Sequence, residues 1–337
     1  MSEYVPDDPI AALATPFGRS ALAVIRTGGT GCIEACAALF SKPQRLLAAE
    51  GYTMQHGTLH DADGQPLDEV MLSVFRGPAS YTGQDSVEIM CHGSPAGIER
   101  ILDALHRSGF RPANPGEFTM RAFLNGKLDL TRAEAVQEVV SSRTSASHAM
   151  AFHRLAGSVE QRVNDLKQRL VELLARAEIQ LDYPEEDTGE VVIPRETIDE
   201  VRSSLRDLVA TYRTGQVYQE GVRVAIAGKT NAGKSSLFNL FLKEDRSIVS
   251  EHHGTTRDYI ESELDVAGIP VRLYDTAGMR STEEHIESEG IRRSGMVFEH
   301  ADIVLYLVDA TQGADEEDRS LIEAGGDKLI GVWNKTD

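Results

Sequence analysis

Apolar positions along this chain change their period twice, and the changes divide it into three stretches. Up to about residue 124, short apolar runs alternate with Gly, Pro and Asp. Residues 21–26 (ALAVIR), 70–75 (VMLSVF) and 86–91 (SVEIMC) read as strands. Residues 96–106 instead place Ile98, Ile101, Leu102 and Leu105 on one face at helical spacing. Strands mixed with a helix predict an α/β domain over residues 1–124.

From Asp129 the period lengthens. Val159, Val163, Leu166, Leu170, Leu173 and Leu174 recur at three- and four-residue steps, with Glu160, Asp165, Lys167, Arg169 and Glu172 on the solvated side. An acidic loop at residues 183–187 (YPEED) breaks the pattern, and a second helix is predicted over 194–212. Gly215 and Gly221 then mark a hinge. Residues 125–217 therefore predict an all-α middle domain, incomplete in itself, that spaces or binds rather than carrying chemistry. No stretch repeats another.

A third texture begins at Val222. The order is strand (222–227), glycine-rich loop, helix (236–242), loop, strand (271–274), loop, helix (289–298), strand (303–309), helix and strand (329–333). Such alternation predicts a Ras-like domain over residues 218–337 with a mostly parallel sheet. A complete sheet of this kind needs further elements after Asp337, so the chain is read as truncated at its C-terminal end.

The loop between the first strand and helix of this third stretch is Gly228–Ser235, GKTNAGKS. The strand–loop–helix setting turns this GxxxxGK[ST] pattern into a phosphate-binding loop. Its glycines let successive N–H groups converge on phosphate oxygens, and the following helix N-terminus favours negative charge. Lys234 supplies a cation to the outer phosphates, and the Ser235 hydroxyl suits Mg²⁺. Asn231, Ala232, Gly233 and Ser236 complete the set. Two further motifs follow at the expected distances: Asp275-Thr276-Ala277-Gly278 (DxxG) and Asn334-Lys335-Thr336-Asp337 (NKxD). The Asp337 carboxylate can accept from N1–H and the exocyclic amine of guanine together, which adenine does not offer. Asn334 serves the O6/N7 edge, and the Lys335 stem covers the base. The three motifs identify a guanine-nucleotide-binding protein.

Asp275 would reach Mg²⁺ through water, with the Gly278 N–H on the γ-phosphate. Between these motifs, residues 254–258 (GTTRD) form the natural switch segment, and Thr256 is the expected second Mg²⁺ ligand. Many GTPases place a glutamine after DxxG to orient water. Met279 stands there instead and cannot do so. Glu283, Glu284, Glu287 and Glu289 offer replacements that the residues alone do not separate.

Charge narrows the partners. Against 34 basic residues stand 53 acidic ones, a net −19, which excludes a protein that holds nucleic acid mainly by its overall field. Three cysteines without a CxxC pair predict a reducing compartment and no disulfide framework. Cys32 and Cys36 have a spacing that a metal could use, but no second ligand pair accompanies them, and they read as small buried residues. No apolar run approaches a membrane span and the N-terminus lacks a basic leader, so the chain is expected to be cytoplasmic, with no membrane partner.

The motifs GxxNxGKSS, GTTRD, DTAG and NKxD resemble those of TrmE/Era/EngA-type GTPases. Three N-terminal stretches, residues 14–28, 80–93 and 114–135, resemble more specifically the TrmE/MnmE family of tRNA modification GTPases. That resemblance spans nearly the whole chain. It implies a homodimer formed through a folate-binding N-terminal domain and an FAD/NADH-dependent partner of the GidA/MnmG type. It also implies tRNA as substrate, modified with a carboxymethylaminomethyl-type group at C5 of the wobble uridine (position 34). The one-carbon unit would come from 5-formyltetrahydrofolate or a related tetrahydrofolate, with Arg26, Glu88 and Lys127 as its contacts. On residue grounds Arg26 ends a predicted strand, Glu88 faces away from Val87, Ile89 and Cys91, and Lys127 follows a glycine. The family also uses K⁺ in place of an arginine finger, which implies ligands at Asn231, Ser250, His252 and Thr255. Among the four glutamates, the ExxGI match assigns catalysis to Glu287. The loop Ser250-Glu251-His252-His253 departs from the family pattern, and the family's last nucleotide motif and C-terminal cysteine motif lie outside this sequence. Two rival readings are a ribosome-assembly GTPase switch and a non-hydrolysing scaffold.

Overall fold

A computed structural model describes residues 6–182, 194–243, 261–275 and 301–336. The chain divides into two compact units, 1–136 and 137–337. In the first unit β1 (Ile10–Leu13), β2 (Ser20–Gly28), β3 (Thr53–His60), β4 (Pro66–Phe75), β5 (Ser86–Gly93) and β6 (Arg111–Pro112) form one sheet. Its order is β3-β4-β5-β2-β1-β6, antiparallel except for the β1–β6 pair. Alternation along β2 and β5 sends Ala23, Ile25, Val87, Ile89 and Cys91 inward. Helices α1 (Cys32–Leu39) and α3 (Pro95–Arg107) bring Ile33, Cys36, Ile98, Ile101 and Leu105 into the same core, and α2 (Pro43–Leu47) brings Leu46. The α/β expectation holds, with each predicted strand longer than its apolar run.

All three cysteines are buried and free. Burial pushes the Cys36 thiol up to about 12 and Cys91 to about 11, and moves Cys32 the same way. Helix α4 (Glu117–Leu124) adds a charged cluster to this unit. Arg121 and Glu117 are each only 1% exposed and pair at 2.9 Å. Arg111 reaches Glu117 at 2.7 Å, and both arginines hold Asp8, at 2.7 and 2.6 Å.

Helix α5 (Leu130–Ser141) runs across the division between the units. In the second unit α6 (Ser145–Leu155), α7 (Ser158–Asp182) and α8 (Arg195–Glu220) form the helical section. Thr144 caps α6 in a reciprocal box with Ser147, and its hydroxyl donates to the Gly268 carbonyl at 2.7 Å. The predicted hinge needs correction. Gly215 lies inside α8, which runs on through it at a cost of about 1 kcal/mol relative to alanine. Gly221 alone ends the helix, at φ +77.

The second sheet has order β11-β10-β7-β9-β8, built from β7 (Val222–Gly228), β8 (Glu261–Val266), β9 (Ile269–Asp275), β10 (Ile303–Asp309) and β11 (Leu329–Asn334). All pairs are parallel except β8–β9. Ala225, Ile226, Leu273, Val304 and Leu307 are buried in it, and α9 (Lys234–Lys243) contributes Phe238. Helix α10 (Glu316–Gly325) follows β10. Strand β8 is an addition to the expected order. It reads Glu-Ser-Glu-Leu-Asp-Val, too polar for a buried run, because it is an edge strand joined by a tight turn at Ala267 and Gly268, both with positive φ. The acidic loop at 183–187 and the helix expected at 289–298 lie outside the described residues. Among the described residues no helix is long and apolar enough to cross a membrane.

Candidate functional site

The C-terminal ends of the parallel strands meet at one edge of the second sheet. Gly228 lies opposite Leu307, Asp309 opposite Asn334, and Ile226 opposite Asp275. Three stretches far apart in sequence are thereby aligned, at the place where open α/β sheets bind ligands.

The loop leaving β7 is shaped by two glycines. Gly228 has φ +136, and a Cβ there would meet the Leu307 carbonyl oxygen at 2.4 Å. Gly233 has φ +98, and its Cβ would meet Asn334 Nδ2 at 2.0 Å. Asn231 between them also has positive φ, +65, a conformation Asn tolerates better than most residues. The loop folds over the Lys234 side chain, whose Nζ donates to the carbonyls of Gly228 (2.9 Å) and Lys229 (2.7 Å). Helix α9 begins at Lys234, so Ser235 and Ser236 occupy its first turn, both exposed.

Asn334 and Lys335 close the other side. Asn334 Nδ2 donates to the Ala232 carbonyl at 2.9 Å, tying the NKxD motif to the glycine-rich loop. Lys335 at φ +58 donates to Asp309 at 2.8 Å, and that hydrogen bond, aided by Thr311, holds the Asp309 carboxyl at about 2. Asp275 ends β9, which fixes its backbone beside Ile226. Ser250, His252, Thr255, Thr256, Thr276, Ala277, Gly278, Glu287 and Asp337 lie outside the described residues.

A second cluster stands in the first unit. Arg26 and Glu88, opposite each other on β2 and β5, pair at 2.8 Å. Arg26 continues into two further strand residues rather than ending its strand, because Thr27 and Gly28 keep the β2 ladder going. Its guanidinium lies over the rings of Tyr81 and Phe118, at 5.3 and 5.7 Å. Lys127 Nζ donates to the Pro78 carbonyl at 3.0 Å, and a Cβ on Gly83 (φ +80) would lie 3.5 Å from its Cγ. Residues 78–83 thus touch both Arg26, through Tyr81, and Lys127.

Sequence reasoning missed Tyr81, Phe118, the Asn334–Ala232 bond and the pairing of Lys229 with Asp315 and Asp318. Tyr81 and Phe118 flank Arg26 inside the N-terminal stretches already singled out. The bond from Asn334 to Ala232 had no signal, since it depends on the sheet bringing both loops together. Lys229 pairs with Asp315 and, at 3.1 Å, with Asp318. A capping pattern, Asp315-x-x-Asp318 before a helix, was legible there. The Asp315 carboxyl is held well below the usual range by Lys229 and then by the Asp318 N–H. Burial and the bond to Asp318 raise the Tyr306 hydroxyl. Among the described residues no cluster of His, Cys, Asp and Glu is arranged to hold a metal.

Two family models match the chain: "GTP-binding protein TrmE N-terminus" over residues 9–127 and "50S ribosome-binding GTPase" over residues 223–335. The tRNA modification GTPase MnmE of Borrelia turicatae is 45% identical over 334 residues, covering 98% of this chain and 72% of the relative. The MnmE proteins of Treponema denticola and Aquifex aeolicus are 43% and 42% identical, covering 100% and 98% of this chain and 73% and 74% of their own lengths. With such identity extending through both units, this chain is a GTPase that belongs to the MnmE/TrmE family of tRNA modification proteins.

Proposed function

We propose that this chain hydrolyses GTP in the course of modifying the wobble uridine of tRNA. The observation that carries the reading is the cradle formed by Gly228 and Gly233, closed by the Asn334–Ala232 bond. That cradle fits a phosphate chain. A Cβ at Gly228 would strike the Leu307 carbonyl and one at Gly233 the Asn334 side chain, so both loop positions require glycine, and the α9 N-terminus offers N–H groups to the anion. Lys234, which spans the loop carbonyls, exchanges them for the outer phosphate oxygens. Asn231, Ala232, Gly233, Ser235 and Ser236 wrap the phosphates. Asn334, Lys335 and Asp337 read the base, and Ser250, Thr255, Asp275, Thr276, Ala277 and Gly278 complete the site.

Ser235 and Thr256 would hold Mg²⁺, and Asn231, Ser250, His252 and Thr255 would hold K⁺. Both ions supply positive charge against the oxygens that gain charge as the terminal bond breaks. Glu287 orients the attacking water in place of the residue after DxxG, which is Met279. In the first unit Arg26, Glu88 and Lys127 would bind a tetrahydrofolate, which supplies the one-carbon unit when bound. Two cations suit a ligand with a carboxylate tail, and the Tyr81 and Phe118 rings beside Arg26 suit a flat one. Since Arg26 and Glu88 pair with each other, a donor edge on Glu88 competes with that pair.

The reading includes a homodimer through residues 1–124, a helical domain over 125–217, a G domain over 218–337, an FAD/NADH-dependent partner and a cytoplasmic setting. Deleting the gene and analysing tRNA nucleosides by mass spectrometry tests it: loss of the modified wobble uridine is expected, and unchanged nucleosides would refute it. Turnover is expected to be faster in KCl than in NaCl and to fall in Glu287→Ala with GTP affinity retained. A ribosome-assembly switch accounts for residues 223–335 but gives residues 9–127 no role. GTP-dependent co-sedimentation with ribosomal subunits would favour it.

A further inference from the structure

Lys229 is the second residue of the glycine-rich loop, and its side chain leads away from the cradle to the start of α10. We infer that Lys229, Asp318 and Tyr306 are positioning residues that hold the peptide after Gly228 in the shape the nucleotide requires. The inference rests on the phosphate-loop reading above and adds to it a brace that no loop motif contains.

Asp318 is 3% exposed, yet it carries a carboxylate. Burying that charge is costly unless it is paired and hydrogen-bonded. One oxygen accepts from the Tyr306 hydroxyl at 2.8 Å. The other accepts from Lys229 Nζ and from the Asp315 N–H, both at 3.1 Å. Asp315 takes a second bond from the same ammonium. The Lys229 side chain is therefore anchored to α10, and through Tyr306 to β10. Its main chain is anchored elsewhere: the Lys229 carbonyl accepts from Lys234 Nζ at 2.7 Å and from the Ala232 N–H at 3.2 Å. Strand β10 holds both ends of this arrangement, since Leu307, next to Tyr306, presses its carbonyl against Gly228.

The consequence appears when the loop fills. A phosphate chain draws Lys234 off the carbonyls of Gly228 and Lys229. The peptide at 229 then loses its tether to Lys234, which leaves the Ala232 N–H and the side-chain anchor to restrain it. Weakening the anchor therefore costs more with nucleotide bound than without it, so it shows as lost affinity and not only as lost stability.

Fluorescent GDP titrated with Mg²⁺ into the full 337-residue chain tests this. Lys229→Ala is expected to raise Kd about tenfold, since it removes the charge-assisted bonds to both Asp315 and Asp318. Tyr306→Phe is expected to raise it by a smaller factor, and Lys229→Arg to stay within about twofold of the unaltered chain because charge and reach survive. A double variant with Asp318→Asn should lose less than the sum of the single changes, since both remove one link. Were Lys229→Ala and Tyr306→Phe both to melt earlier but bind GDP as tightly as the unaltered chain, the brace would be structural only and the inference overturned. Lys234→Ala separates this from the parent reading: it should abolish binding whatever happens at Lys229. Retained binding in Lys234→Ala would overturn the phosphate-loop reading and this inference together.

Discussion

Glu117 and Arg121 place opposite charges where almost no water reaches, and a third and fourth group, Arg111 and Asp8, complete the pairing. Burial alone would raise the Glu117 carboxyl, but hydrogen bonds from Arg111, the Asn114 N–H and Arg121 outweigh it and hold the group at about 2. An unfolded glutamate titrates at about 4.3. The folded value is the lower one, so the stabilisation is fully present above that unfolded value and is lost as pH falls from there towards 2. Glu117→Gln should cost roughly 3–5 kcal/mol at neutral pH, because two guanidinium groups lose their buried partner. It should also flatten the acid limb of the melting curve of residues 1–136, leaving the part due to Asp8, which Arg111 and Arg121 hold low. Parallel acid limbs in variant and parent, followed by circular dichroism, would remove Glu117 from this role.

At the scale of elements, the two glycines of the second unit's long helix should answer oppositely to the same change. A Cβ on Gly215 meets nothing within 4 Å, so Gly215→Ala is expected to stabilise by about 1 kcal/mol. Gly221 has φ +77 and its Cβ would meet the Pro270 carbonyl oxygen at 2.4 Å, so Gly221→Ala should destabilise by more than about 1 kcal/mol. Urea titration of each variant checks both signs, and equal signs would contradict this account of where the helix ends. The same pair shows what a sequence reveals and what it hides. Periodicity locates α8 and both glycines, but nothing local says which glycine has positive φ. That depends on β9 passing beside the helix end. Strand β8 hides for a similar reason, since an edge strand has one partner and little burial to write into its residues. By contrast, β2, β5, β7 and β10 carry buried runs and were legible throughout. The glycine-rich loop was legible because backbone geometry demands its glycines. Its brace to α10 was not, because Lys229 and Asp318 are ordinary charges until the sheet brings them together.

In the molecule as a whole, each unit has its own buried core, and residues that report on each are conveniently segregated. The chain's one tryptophan, Trp333, sits on β11 next to Asn334 and is 56% exposed. Its fluorescence should therefore follow unfolding of the second unit. GDP with Mg²⁺ at a hundredfold excess over Kd adds about 2.7 kcal/mol to the state that binds it. For a unit of this size that is a rise of roughly 5–10 °C in the transition Trp333 reads. A transition that ignores nucleotide would place binding elsewhere. The buried thiols have a counterpart use. Cys32, Cys36 and Cys91 all lie in the core of the first unit, closed to water and held protonated at neutral pH. A maleimide dye should leave the folded chain unlabelled and react only as that core opens, so labelling rates time its opening directly. A cysteine engineered onto the surface would then take the dye alone, giving a single-site attachment point without removing any native cysteine.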